Sequence, residues 1–275
     1  MAGTKNEGKI NTLMANYKYT INSKFSNCSA LKDLMQNLPS LFEKEGTLLF
    51  KSRNTIKKFV LSDGMEVVVK KYKTPIFIQR VVYSFLRKSK AERAYINAAE
   101  LMRRGIDTPM NIAWGRVNEN GLFHTGYFVS DVNDAPAIEN ELLGGENFNR
   151  ALAEDFAQFV ATLHSKGIIH KDLNCTNVIY RPKSEGNYEF SLIDNNRMKF
   201  YPYGKEPSDM VCMENLTLFT GDMEVLHLVA LYYTISRGWE RDMVDEILNV
   251  KINHDKKWKR KKRILHALSF SSKKN

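Results

Sequence analysis

The stretch Gly167-Ile168-Ile169-His170-Lys171-Asp172-Leu173-Asn174-Cys175-Thr176-Asn177-Val178-Ile179-Tyr180 decides the reading of this chain. Apolar runs enter and leave it, and between them stand His170, Asp172 and Asn177 in the pattern His-x-Asp-Leu-x-x-x-Asn. A carboxylate and a carboxamide five residues apart in one short loop are fixed relative to each other by that loop. The pair suits a transfer in which Asp172 takes the proton of an incoming hydroxyl while Asn177 reaches back to a metal on nucleotide phosphates. Downstream, Glu189-Phe190-Ser191-Leu192-Ile193 reads as a strand that delivers Asp194, a second oxygen ligand for metal. A plain polar turn, with Asp172 and Asn177 bonded only to their own backbone, would leave Asp194 unexplained.

The spacing is that of the catalytic loop of protein kinases, with Lys171 in place of their arginine. Asp194-Asn195-Asn196 stands where they have Asp-Phe-Gly. Leu152 to Lys166 precedes the loop with a helical apolar pattern (Phe156, Phe159, Val160, Leu163), and Val178-Ile179-Tyr180 with the Asp194 strand follows it like a hairpin.

With these residues in view the chain resembles the lipopolysaccharide kinases of the Kdo/WaaP type. The resemblance is carried by Leu163 to Asp172, Asn177, Leu192-Ile193-Asp194, Ser89 to Tyr95 and Gly105-Ile106-Asp107-Thr108-Pro109, and spans roughly Tyr17 to Asn253. It implies an α+β, bilobal protein-kinase-like fold, with an antiparallel sheet and one helix in the small lobe and a mainly helical large lobe. It also implies ATP and Mg2+ as cofactors and transfer of phosphate to a sugar of the lipopolysaccharide inner core, Kdo first and heptose second. The alternatives are a protein or small-molecule kinase, or a membrane-associated pseudokinase that binds a partner without catalysis.

In that frame Val67-Val68-Val69-Lys70 matches the kinase Val-Ala-Ile-Lys, so Lys70 would hold the phosphates, and alternation along the strand sends Lys71 to the other face. The preceding loop, Lys51-Ser52-Arg53-Asn54, has none of the glycines that cover phosphates in kinases. Arg53 or Asn54 would contact phosphate by side chain instead. Ser89 to Arg104 reads as the helix that pairs a glutamate with Lys70, with Glu92 as first candidate and Glu100 as second.

Elsewhere, Tyr17 to Ile21 reads as an edge strand and Ala30 to Phe42 as a helix interrupted by Pro39. Thr47 to Phe50, Thr55 to Leu61 and Met65 to Tyr72 read as three strands, and Asn111 to Val117 with Leu122 to Ser130 as a hairpin about Asn118-Glu119-Asn120-Gly121. Val129 to Val132 falls where kinases connect their lobes. From Ala135 onward helices are expected, with Leu142-Leu143 and Leu152 to Lys166 beneath the loop, then Leu216 to Ser236 and Arg241 to Val250. Asp222 would either brace the loop or cap a helix. No Ala-Pro-Glu follows Asp194, so the peptide-docking device of protein kinases is missing, and Arg197, Lys199 and Lys205 are available to an anionic sugar.

The chain has 275 residues, 43% of them apolar, enough for one large domain or two lobes. Cys28, Cys175 and Cys212 have no metal-ligand spacing and suit a reducing compartment, and Cys175 reads as a filler rather than a redox group. Met1 to Lys9 lacks the apolar core of a signal peptide, and no run approaches the length of a membrane span. Residues 251–275 hold ten Lys/Arg and one acid, so they carry +9 of the net +10. Lys256 to Phe270 mixes that charge with Trp258, Ile264, Leu265, Leu268 and Phe270, a pattern that lies on anionic bilayers. No module or aromatic platform for nucleic acid is present. The expected organisation is a disordered 1–16, a small nucleotide-binding lobe over 17–131, a large catalytic lobe over 132–253 and a basic amphipathic tail over 254–275. The expected location is cytoplasmic, peripheral on the inner membrane beside a lipid A-linked acceptor.

Overall fold

Strand-period alternation builds a six-stranded antiparallel sheet from β1 (Asn16–Ile21), β2 (Thr47–Lys51), β3 (Thr55–Val60), β4 (Glu66–Lys71), β5 (Asn111–Glu119) and β6 (Leu122–Ser130), in the spatial order β1-β5-β6-β4-β3-β2. The computed structural model describes residues 16–142, 148–184 and 186–271. Two compact units result, one of residues up to 99 with 109–133 and one of 100–108 with 134 onward. Asn120 and Gly121 both take positive φ, 53° and 77°, which closes the β5–β6 hairpin in a turn whose twist matches the strands. Helix α1 (Ser29–Lys44) lays Leu31, Leu34, Met35, Leu38 and Phe42 against Phe59, Val67, Val69, Ile112, Tyr127 and Val129.

That contact explains a departure from expectation, because α1 runs unbroken through Pro39. An internal proline costs about 3 kcal/mol, whereas each buried large apolar side chain returns roughly 1.5–3 kcal/mol. The same unit holds α2 (Phe77–Phe85), which the apolar pattern did not announce, and the first ten residues of α3 (Lys90–Arg103), whose residues from Glu100 on belong to the second unit. A Cβ at Gly126 on β6 would come within 3.0 Å of the Ala91 Cβ, so glycine there lets α3 approach the sheet closely.

The second unit contains α4 (Glu139–Leu142), α5 (Arg150–Ser165), β7 (Ile168–His170), β8 (Val178–Ser184), β9 (Asn187–Leu192), β10 (Met198–Phe200), α6 (Asp209–Leu216), α7 (Met223–Arg237) and α8 (Met243–Ser271). Leu152, Phe156, Val160 and Leu163 on one face of α5 pack with Leu173, Val178, Leu192, Leu216, Phe219, Val229 and Tyr233. The helix expected over Leu216 to Ser236 begins only at Met223, because α6 ends at Leu216 and residues 217–222 form a turn. The Asp222 carboxylate accepts the N–H groups of Glu224 at 2.9 Å and Val225 at 3.2 Å and so starts α7 afresh. Asp222 is therefore an N-cap. Helix α8 is continuous across residues 253 and 254, where the tail was expected to begin, with Trp258 and Ile264 exposed. Leu143 and residues 1–15, expected to be disordered, lie outside the described residues. No helix among the described residues is long and apolar enough to cross a membrane.

Candidate active site

The loop between β7 and β8 is irregular, so its backbone polar groups need partners from elsewhere. Gly167 turns the chain out of α5 at φ +68°, and a Cβ there would meet the Lys205 carbonyl at 2.6 Å. His170, fully buried, then spans the loop. The Asp172 N–H donates to its Nδ1 at 3.1 Å, so its Nε2 carries the proton and donates to the Ile193 carbonyl at 3.1 Å. Burial holds this imidazole below the usual histidine range.

Beneath it runs a chain of neutral groups. Asn215 on α6 donates from Nδ2 to the His170 carbonyl at 2.8 Å, which leaves its Oδ1 to accept from His164 Nε2 at 3.0 Å. His164 Nδ1 must then accept from the Tyr233 hydroxyl, 2.7 Å away. Burial pushes His164 down to about 4, mainly by desolvation, and raises the Tyr233 phenol, so both stay uncharged as the hydrogen bonds require. Cys175, also buried, donates its thiol to the Phe219 carbonyl at 3.0 Å. Its pKa is pushed up to about 12 by burial, which makes it a loop anchor and no thiolate.

On this frame the three expected polar residues of the loop and strand sit together. Asn177 Nδ2 donates to the Asp172 carbonyl at 2.9 Å, so the amide oxygen is the atom on offer. The Ile193 N–H donates to the Asn177 carbonyl at 3.0 Å, which ties the loop to the residue before Asp194. Asp194 itself takes φ 56°, ψ 46°, a left-handed conformation costly for a side chain with a Cβ and typical of functional positions held by their surroundings. Its neighbours explain the hold. Asn195 donates to Thr108 Oγ1 at 2.6 Å, Thr108 donates to the Leu192 carbonyl at 2.8 Å, and Asn196 donates to the Asp194 carboxylate. Asn196 thus braces the Asp194 carboxylate, and Asn195 fixes the backbone next to it. An amide oxygen and a carboxylate are hard donors of the kind that would suit a divalent cation such as magnesium. Among the described residues no three His, Cys, Asp or Glu side chains converge on a further metal site.

Asp172 is partly exposed, and Arg197 Nη1 lies 3.4 Å from its Oδ2. Lys199 donates to the Tyr201 hydroxyl at 2.6 Å. Arg104, buried where the helix α3 ends, donates to the carbonyls of Lys166 at 2.6 Å and Tyr201 at 2.8 Å and so clamps the chain before and after the loop.

In the first unit Lys70 lies on β4 opposite Ile56 and Phe128, with its ammonium 5.4 Å from the Tyr72 ring centroid. Lys71 turns the other way, onto Glu43 and Phe42 of α1, as alternation requires. Arg53 is exposed in the β2–β3 bend, and Asn54 Oδ1 accepts the Lys73 N–H at 3.2 Å. Glu92 pairs with Lys88 at 2.9 Å instead of with Lys70. The Ser89 hydroxyl accepts the Glu92 N–H at 3.1 Å and so caps the start of α3. Glu100 in the second unit is taken by Arg103 at 2.6 Å and Arg104 at 2.7 Å.

Asn215, Arg104, Thr108 and the roles of His164, Asn195 and Asn196 were not read from sequence. A polar residue inside an otherwise apolar helical face, such as Asn215 beside Cys212, Met213 and Leu216, is the signal that marks one of them.

The description of the lipopolysaccharide kinase (Kdo/WaaP) family matches residues 44–201. No curated protein matches the chain by sequence. Among solved structures, WaaP in complex with acyl carrier protein aligns at 14% identity with a TM-score of 0.57, over 87% of this chain and 98% of that one. It shares the protein-kinase-like fold. A Rio2 kinase from Chaetomium thermophilum, in a complex with ADP, Mg2+ and phosphoaspartate, aligns at 15% identity with a TM-score of 0.43, over 82% of this chain and 76% of that one.

Proposed function

Since this chain belongs to the lipopolysaccharide kinase (Kdo/WaaP) family and is an ATP-dependent phosphotransferase, we propose that its acceptor is a Kdo hydroxyl of the lipopolysaccharide inner core, with heptose second. ATP, bound with Mg2+, supplies the phosphoryl group, and the metal offsets its charge. Asp172 orients the sugar hydroxyl and accepts its proton. Asn177 through Oδ1 and Asp194 through its carboxylate hold the metal, and Lys70 holds phosphate as a point charge. Arg53 contributes a contact from its bend. Catalysis then consists of positioning and charge stabilisation.

The single observation that supports the roles of Asp172, Asn177 and Asp194 is the paired hydrogen bonds of Asn177, to the Asp172 carbonyl and from the Ile193 N–H, which hold the three residues on one frame. The preference for Kdo, a sugar acid, is supported by basic residues around the loop: Arg197 lies 3.4 Å from Asp172, and Lys171, Lys199, His254 and Lys257 line, against one acid, Glu214, a cavity of about 580 Å³ that Asp172 does not itself line. Heptose alone offers such a cavity no negative charge. The basic α8 supports peripheral contact with the anionic inner membrane, at about 1 kcal/mol per Lys or Arg near the surface.

The test is a panel of lipid A precursors bearing Kdo alone or Kdo with heptose, each incubated with ATP, Mg2+ and purified protein and read by mass spectrometry. Phosphate on Kdo is the expected result. Phosphate confined to heptose would reverse the acceptor assignment, and none on either would remove it.

A further inference from the structure

Helix α2 presents the wrong face to water. At about 100° per residue, Phe77, Ile78, Val81, Val82 and Phe85 occupy one arc of about 140°, and Arg80, Tyr83 and Ser84 the other. The sheet holds the second arc. Arg80 Nε donates to the Phe123 carbonyl at 2.8 Å, Ser84 Oγ accepts the Phe123 N–H at 2.8 Å, and the Tyr83 and Phe123 rings meet edge-on at 5.5 Å. The apolar arc is left outside. Phe77 is 67% exposed, Ile78 71% and Phe85 73%, and the flanking Ile76 and Leu86 reach 67% and 80%. A contiguous apolar surface of this kind marks an interaction site.

Its charge says what covers it. From Tyr72 to Ala91 the chain carries five cations, Lys73, Arg80, Arg87, Lys88 and Lys90, and no carboxylate. Arg80 is turned to the sheet and Lys88 is paired with the first acid beyond, Glu92, which leaves Lys73 at one end of the helix and Arg87 and Lys90 at the other. The surface is a convex helix with aromatic and branched side chains outward and basic residues at both ends, which offers no groove to a partner helix. That combination is the one that seats in the boundary of an anionic bilayer, rings among acyl chains and cations among headgroup phosphates.

We propose that α2 is a membrane-docking element of the first unit, binding an anionic lipid surface independently of the C-terminal tail and of the phosphotransfer chemistry. The test is vesicle co-sedimentation of the full chain on phosphatidylethanolamine with phosphatidylglycerol, and on phosphatidylcholine alone. The variants are Phe77→Ser/Ile78→Ser/Phe85→Ser and, separately, one in which the Lys and Arg of 256–263 are changed to Gln. The tail-neutralised chain is expected to retain binding to the anionic vesicles, and adding the α2 changes to weaken it ~100-fold. An unchanged melting temperature and nucleotide affinity show that the triple variant is folded, as expected from side chains that face solvent. Equal binding with and without the α2 changes would overturn the proposal. So would self-association of the wild-type chain that the triple variant abolishes while no vesicle binding is seen, which would give the face to a second copy.

Discussion

Asp172 and Lys70 lie in different units and are positioned by different physics. Around Asp172 the backbone has no regular ladder; His170 and Asn177 hold it from within the loop, and the buried bonds of Asn215 to the His170 carbonyl and of Cys175 to the Phe219 carbonyl tie the loop to other segments. Lys70 takes its direction from alternation along β4, whose ladder to β3 and β6 is complete without any side chain. The difference teaches where each site is fragile. A polar change far from Asp172 can disturb its loop, whereas the strand under Lys70 answers to its apolar contacts with α1.

The largest effect expected is at Asp172 itself. Asp172→Ala should lower kcat about 10³-fold and leave thermal stability unchanged, because the side chain is 39% exposed and its Arg197 contact is 3.4 Å long. A large fall in melting temperature would show that the loop is held by its functional carboxylate and would break the contrast.

The second is a pH dependence that belongs to the polar network alone. His164 is held down to about 4 when folded, against 6.5 when unfolded. The unfolded chain therefore binds more protons between those values. The contribution is whole above pH 6.5, declines as the pH falls toward 4 and is gone below it, a loss of about 3 kcal/mol. Burial of His170 acts in the same sense. Urea titrations of the wild type and of His164→Gln from pH 7.5 to 4.5 check it, the variant giving the shallower slope.

Third, Lys70→Met should reduce kcat/KM for ATP by ~100-fold with stability within about 0.5 kcal/mol of the wild type, read by steady-state kinetics and urea midpoints. Fourth and smallest, Asn215→Ala should cost about 2 kcal/mol of stability through the unpaired His164 N–H and His170 carbonyl. It should also lower kcat while leaving nucleotide affinity unchanged, which a purely structural residue would not do selectively.

The same contrast explains what could be read in advance. Asp172, Asn177 and Asp194 are legible because a single loop and the strand after it set their spacing locally, and Lys70 because a strand has a fixed period. Asn215, Arg104 and Thr108 were not, since each bonds a backbone carbonyl far away in the chain and a buried polar residue has no pattern until its partner is known. Glu92 and Glu100 were candidates for Lys70 by family position, and their ion pairs are with Lys88 and with Arg103 and Arg104. Helix α2 was missed because its nine residues are shorter than the window over which a helical period stands out, and Pro39 was read as a break because propensity carries no knowledge of Leu38 and Phe42 packed on either side of it.

The most direct test of the central claim is transfer of labelled γ-phosphate from ATP with Mg2+ to a Kdo-bearing lipid A precursor, by the wild type and by Asp172→Asn, with nucleotide affinity measured on the same preparations. The account requires transfer by the wild type, a loss of about 10³-fold in the variant and equal nucleotide affinity in both. Transfer at wild-type rate by Asp172→Asn would contradict it.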